Sequence, residues 1–240
     1  MLSLTHRHED GARLASLLWH FGPGWRMISS AMVGGGIGPG EWVLNAQVVG
    51  AYSRMDPIEH LRELAPGGPG VGMMTAASVA HYTRAGDAGV EAVATVGLRV
   101  PTLAALPEGV PDRELWPAVR DRAAGRSVPP DRVVSGGRVA FPAPGTINII
   151  VSVPVAMCDA ALVNTVMTVT EAKSQALAEA GYACTGTASD AVCVAVRAEG
   201  PEELFGGPRS TWGARIARAV HGSVLSGARA WERATGTVQG

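Results

Sequence analysis

Lysine is almost missing from this chain: of 20 strongly basic side chains in 240 residues, Lys173 is the only lysine and the others are arginines. Net charge is missing too. With 21 acidic side chains against those 20, and a pI near 6.6, there is no basic footprint to neutralise a phosphate backbone, which excludes nucleic acid as a partner. Charged residues are only 17% and aromatic residues 5%, whereas hydrophobic types reach 47%, so the chain has material for a core and is not disordered as a whole. No apolar run approaches the roughly 18 residues of a membrane span. The first twenty residues carry His, Arg, Glu and Asp where a secretory apolar region would stand, so the expected location is cytoplasmic, with no membrane partner. Cys158, Cys184 and Cys193 form no CxxC pair and leave one thiol over, which argues against a disulfide framework or a thiolate zinc site.

What is present reads as strands first and helices later. Short apolar segments at 14–19, 25–33 and 42–49 are strand-like, separated by glycine-rich turns. The run GGGIGPG, Gly34 to Gly40, is expected to be a turn: it lacks the lysine of a phosphate-binding loop, and the EWVLNAQV after it alternates like a strand. A helix is expected over 57–64, with Asp56 as N-cap, Pro57 at its first position and Glu59 at N3. Strands are expected at 71–77 and 90–98, then a proline-dense surface insertion or lid over 101–144. INIIVSV, ending before Pro154, reads as a buried central strand. A long helix over 159–180, with Gly181 as left-handed cap, a strand at 191–196 and an arginine-bearing helix over 211–234 complete the chain. The order favours an α+β class, a single layered domain over 1–240 in which mixed, largely antiparallel sheets pack on two long helices.

Lys173 lies on the first long helix, in Thr170-Glu171-Ala172-Lys173. At about 100° per residue, Leu162, Val166, Val169 and Leu177 fall within roughly 40° of it, so the sole lysine shares an apolar stripe. Glu171 points to nearly the opposite face and cannot pair with it. Three fates are open for Lys173: desolvation, pairing with a buried carboxylate such as Asp190, or snorkelling to the helix edge. The turn Thr185 to Asp190 offers hydroxyls, backbone N–H groups and a carboxylate, which suits an oxyanion hole or, equally, a hydroxyl turn feeding a strand. Alternation puts Thr146 and Asn148 on one face of their strand, and a buried Asn148 needs backbone or substrate partners. His6 and His8 share a face if extended, with His20 as a third candidate ligand. They lie near an end expected to fray, and no metal is assigned. Six tryptophans against three phenylalanines suit either core packing or a large flat amphipathic ligand.

SSAMVGGG (29–36) with Asn45, MMTAA (73–77), ATVGL (94–98), GTINIIV (145–151), TEAK (170–173), TGTASD (185–190) and the Trp-Gly pair at 212–213 together resemble the adenosylcobinamide amidohydrolase family in content and order. Two segments depart from that pattern: Arg99 stands in place of an Asn after the Gly-Leu pair, and the family's ATGTGTD reads Cys184-Thr185-Gly186-Thr187-Ala188-Ser189-Asp190. The resemblance implies hydrolysis of the amide that joins aminopropanol to the corrin ring of adenosylcobinamide, giving adenosylcobyric acid. It implies Lys173, Glu171, Asp190 and Thr187 as catalytic candidates, and Asn45, Ser30, Thr75, Thr146, Asn148 and Thr185 as substrate-binding ones. In this scheme Asp190 or Lys173 activates a water or Thr187, Asn148 and the turn's N–H groups hold the oxyanion, and Glu171 orients the site or acts as acid. No cofactor is expected beyond the corrinoid itself, and a homo-oligomer is left open. The competing readings are a corrinoid-binding protein without chemistry and an amidohydrolase for an unrelated amide.

Overall fold

The structure is a computed structural model that describes residues 1–105 and 145–235; from residue 106 onward the expected 101–144 insertion lies outside them. Its strands are β1 (Leu2–Glu9), β2 (Ala12–His20), β3 (Trp25–Ser29), β4 (Gly36–Pro39), β5 (Trp42–Gln47), β6 (Gly70–Thr75), β7 (Thr83–Asp87), β8 (Val90–Gly97), β9 (Thr146–Ser152), β10 (Ala156–Met157), β11 (Ala191–Arg197) and β12 (Glu202–Glu203). The helices are α1 (Pro57–Leu64), α2 (Asp159–Glu179) and α3 (Thr211–Thr235).

Alternation explains how these stack. In β2, Ala15, Leu17 and Trp19 are buried on one face and Leu14 on the other, a pattern that requires cover on both sides. β2 belongs to a four-stranded sheet, β1-β2-β5-β6, and the cover on one side is a six-stranded sheet, β4-β3-β11-β9-β8-β7. Leu17, Val43, Val71 and Met73 of the first sheet meet Met27, Val93, Ile150 and Cys193 of the second. On the outer side, Leu61 of α1 packs on Trp42, Leu44 and Ala46. The far face of the six-stranded sheet, with Ala92, Ile147, Ile149 and Val194, is covered by α2 and α3 through Leu162, Leu177, Ile216 and Val220. The result is four layers, helix, sheet, sheet, helices. Most ladders are antiparallel, while β5–β6, β9–β11 and β10–β12 run parallel. The α+β class and the mixed, largely antiparallel sheets against two long helices are therefore observed.

The main strands and helices lie where their patterning puts them, and Gly181 ends α2 with φ of 84°. There Tyr182 N–H donates to the Leu177 carbonyl and Gly181 N–H to that of Ala178, the reciprocal pair of a glycine cap. Four expectations are corrected. The amino-terminal end does not fray: β1 pairs with β2 from Leu2 to Glu9, because Asp10 and Gly11 adopt φ of 50° and 72° and close a tight hairpin. The 25–33 strand stops at Ser29. The Gly34 to Gly40 turn is half strand, since Gly36 to Pro39 pair with β3 as a short edge. Asp56 stands at the N-cap position, its carbonyl accepting the His60 N–H, but its carboxylate is taken by Arg54 and caps no helix N–H.

The Trp-Gly pair has a packing role at the start of α3. Trp212 Nε1 donates to Glu203 at 3.1 Å and the Arg215 guanidinium lies 4.4 Å over its ring. A Cβ on Gly213 would stand 1.9 Å from the Gly207 carbonyl oxygen, and the Gly206 carbonyl beside it is held by Thr168. Gly213→Ala is expected to destabilise the fold by about 1–3 kcal/mol, where a free helix surface would gain about 1 kcal/mol, read as a lower urea midpoint at constant slope. A second expectation concerns the thiols. Burial, with the Asp190 charge adding to it, pushes Cys184 up to about 11, and burial pushes Cys193 up as well. At about pH 8, iodoacetamide should label half-buried Cys158 and spare the other two until the chain is unfolded. Because these two pKa values are raised on folding, stability falls as pH rises from about 9 toward 11.

Candidate active site

One end of the double sheet gathers nearly every residue singled out above. β3, β5, β6 and β8 finish there, at Ser29, Gln47, Thr75 and Gly97, and β9 and β11 begin there, at Thr146 and Ala191. Side chains fix the alignment of the two sheets at this end. Asn45 Nδ2 donates to Thr95 Oγ1 at 2.7 Å, and Asn148 Nδ2 donates to Asn45 Oδ1 at 2.8 Å and to the Met74 carbonyl at 3.2 Å. Asn45, Thr95 and Asn148 are each 1% exposed. Both Asn148 amide hydrogens are thus spent inside the protein, leaving none for an oxyanion, while its Oδ1 has no partner among the described residues.

On the helix side of the same strand end, Lys173 finds the carboxylate. It is 8% exposed, and its Nζ lies 2.5 Å from Asp190 Oδ2. Asp190 receives three more donors: Thr187 N–H on Oδ2 at 3.1 Å, Ile147 N–H on Oδ1 at 2.9 Å, and the Thr187 hydroxyl on Oδ1 at 2.5 Å. Of the three fates open to Lys173, ion pairing with Asp190 is the one realised. Gly186 makes room for it, since a Cβ there would sit 2.2 Å from the carboxylate and 2.6 Å from Nζ.

Thr187 Oγ1 also lies 2.9 Å from the Gly145 carbonyl, so its single hydrogen chooses between two acceptors. Exposed Ser189 reaches that carbonyl at 3.2 Å and Thr146 Oγ1 at 2.9 Å. The N–H groups of Ala188 and Ser189 engage no acceptor among the described residues. Thr185 is an anchor: its N–H and hydroxyl both donate to the Thr102 carbonyl, and its Oγ1 accepts the Ala104 N–H at 2.9 Å. Ser30 Oγ accepts the Val192 N–H and Thr75 Oγ1 accepts that of Ala77, each finishing a strand end.

Glu171 is not brought to this centre. It is exposed and lines a groove of about 560 Å³ between α2 and α3, with Gln175, Arg209 and His221. The three histidines also stay apart, because His20 lies five positions along β2 from Ala15, the partner of His6, roughly 17 Å at strand rise. Sequence reasoning missed Thr95, Ser189, Gly145 and Gly186. All four stood inside quoted motifs, but what gives Thr95 its role, its place directly across from Asn148 in the β8–β9 register, is announced by no local pattern.

No helix among the described residues is long and apolar enough to cross a membrane. No curated protein matches the chain. The family model for adenosylcobinamide amidohydrolase matches residues 1–236, with the strand-end cluster inside that span. The chain belongs to the adenosylcobinamide amidohydrolase family.

Proposed function

We propose that Thr187, Asp190 and Lys173 form the centre at which this amidohydrolase cleaves the amide between aminopropanol and the corrin ring of adenosylcobinamide, releasing adenosylcobyric acid. The observation that carries the proposal is the 2.5 Å bond from the Thr187 hydroxyl to a carboxylate that is itself held by the only lysine. A hydroxyl is a poor nucleophile until a base takes its proton, and Asp190 Oδ1 is placed to do so. Thr187 Oγ1 adds to the amide carbonyl carbon as its proton passes to Asp190. The tetrahedral oxyanion has the Ala188 and Ser189 N–H groups as its nearest free donors, in place of Asn148. Collapse breaks the C–N bond, and the leaving amine takes the proton from Asp190. Water then hydrolyses the acyl ester on Thr187 with the same carboxylate as base, restoring the hydroxyl.

Lys173 is the electrostatic partner in this scheme. It offsets the cost of burying the Asp190 carboxylate and keeps Oδ2 occupied, so that Oδ1 is the oxygen presented to Thr187. Glu171 stays outside the reacting group because its helix position directs it to the other side of α2. The chain's own groups supply nucleophile, base and oxyanion donors, so we propose no cofactor besides the corrinoid substrate, and a cytoplasmic location in keeping with three unpaired thiols.

The assay is chromatographic detection of adenosylcobyric acid. Thr187→Ala should lower kcat by about 10³-fold or more with circular dichroism unchanged, and Asp190→Asn by as much, with a lower Tm because buried Lys173 loses its partner. Glu171→Gln should stay within about threefold of the parent. Near-full turnover by Thr187→Ala would overturn Thr187 as nucleophile and pass that role to a water. Chelator should leave the rate unchanged, and a corrinoid that co-elutes with the protein without product would favour a binding protein instead.

A further inference from the structure

A second buried polar network lies at the same end of the molecule, on the outer face of the four-stranded sheet. His60 of α1 is 2% exposed, with Nε2 2.7 Å from Glu9 Oε1 and Nδ1 3.0 Å from the Tyr52 hydroxyl. Arg7 holds the other Glu9 oxygen at 2.6 Å and reaches the Gln47 carbonyl at 2.7 Å and Ser16 Oγ at 3.0 Å. The two ring nitrogens thus tie Glu9 and Tyr52 to α1, and burial pushes the Tyr52 pKa up. The Tyr52 and His60 rings also stack, with centroids 5.7 Å apart.

The network is larger than the anchoring of an eight-residue helix requires, since Leu61 already seats α1 on the sheet. What it adds is a hold on the chain between β5 and α1. That segment leaves β5 at Gln47, two residues beyond Asn45, and its first N–H, from Val48, pairs with the Thr75 carbonyl. It therefore starts at the strand ends where the candidate site lies, and runs from there along the outer side of the four-stranded sheet, carrying half-buried Tyr52 and 96% exposed Met55 toward α1. A corrin ring is far wider than the Thr187–Asp190 centre. A wall on the sheet side, apolar and held in one position, is what such a flat substrate needs besides the reacting groups.

We propose that the 48–56 segment is a wall of the corrinoid site and that His60, clamped between Glu9 and Tyr52, is the positioning residue that holds it. The proposal rests on the strand-end site described above. It acts on binding and not on the bond-breaking step, so its signature is in KM and Kd.

The test is steady-state kinetics and corrinoid-binding titration of the full chain with Tyr52→Phe, which removes one hydroxyl, and His60→Gln, beside Asp190→Asn. Tyr52→Phe should raise KM and Kd for adenosylcobinamide about 3–10-fold, the value of one hydrogen bond, with kcat within about twofold. His60→Gln should do the same or more. Unchanged KM and Kd in Tyr52→Phe, with or without a lower Tm, would overturn the proposal and leave a purely structural network; so would a fall in kcat alone. If His60→Gln does not fold, Tyr52→Phe decides. Failure of the Thr187–Asp190 centre would show instead as activity retained in Asp190→Asn, and the Kd measurement still tests the wall.

Discussion

The ion pair between Lys173 and Asp190 is the constraint on which the candidate active end depends. A carboxylate cannot sit nearly desolvated at the start of a central strand unless its charge is met and its lone pairs are filled. Lys173 meets the charge, and the Ile147 and Thr187 N–H groups with the Thr187 hydroxyl fill the rest. Each partner comes from a different element: α2, the first turn of β9, and the loop before β11. Satisfying one carboxylate therefore fixes a helix, a strand and a turn relative to one another. Gly186 follows from the same requirement, because the pair occupies the volume a side chain would need.

That dependence explains the lysine. Arginine serves everywhere a cation faces solvent, but the space between Gly186 and the carboxylate admits a compact ammonium on a flexible stem and not a planar fork. Scarcity in the composition and tightness in the structure are the same fact seen twice. The helical wheel made Lys173 and Glu171 point apart, and they do, with Lys173 in the core and Glu171 on the α2–α3 groove.

Legibility ran out where contacts cross the chain. The strand and helix positions were readable because periodicity is local, and the pairing of Lys173 with Asp190 was among three readable options because a buried ammonium needs a carboxylate. Sheet order was not readable: β3 lies beside β11, with Ser29 across from Cys193, and no local pattern encodes such a neighbour. The partners of Asn148 were not readable for the same reason, since its hydrogens go to Asn45 and Met74 on the other sheet. β1 was passed over because its Thr, His, Arg and Glu look like loop material. As an edge strand it needs few apolar residues, and the Asp10–Gly11 turn was its signal.

Two sheets that meet through Leu, Val, Met and Ala could slide over each other at little cost, because dispersion and burial are non-directional. A hydrogen-bonded chain from Met74 through Asn148 and Asn45 to Thr95 removes that freedom: sliding one sheet over the other would break these bonds and leave their amide, hydroxyl and carbonyl groups unpaired in an apolar layer. Placing this expensive device near the strand ends, and not at the centre of the interface, puts its precision where Thr187 and Asp190 begin. At the opposite end the sheets are joined by Trp19, Phe21 and Trp25, whose rings lie 4.9 Å apart in sequence and fill space without specifying register. The molecule thus has an aromatic end that supplies cohesion and a polar end that supplies alignment, and the proposed chemistry sits at the end where position is fixed by hydrogen bonds.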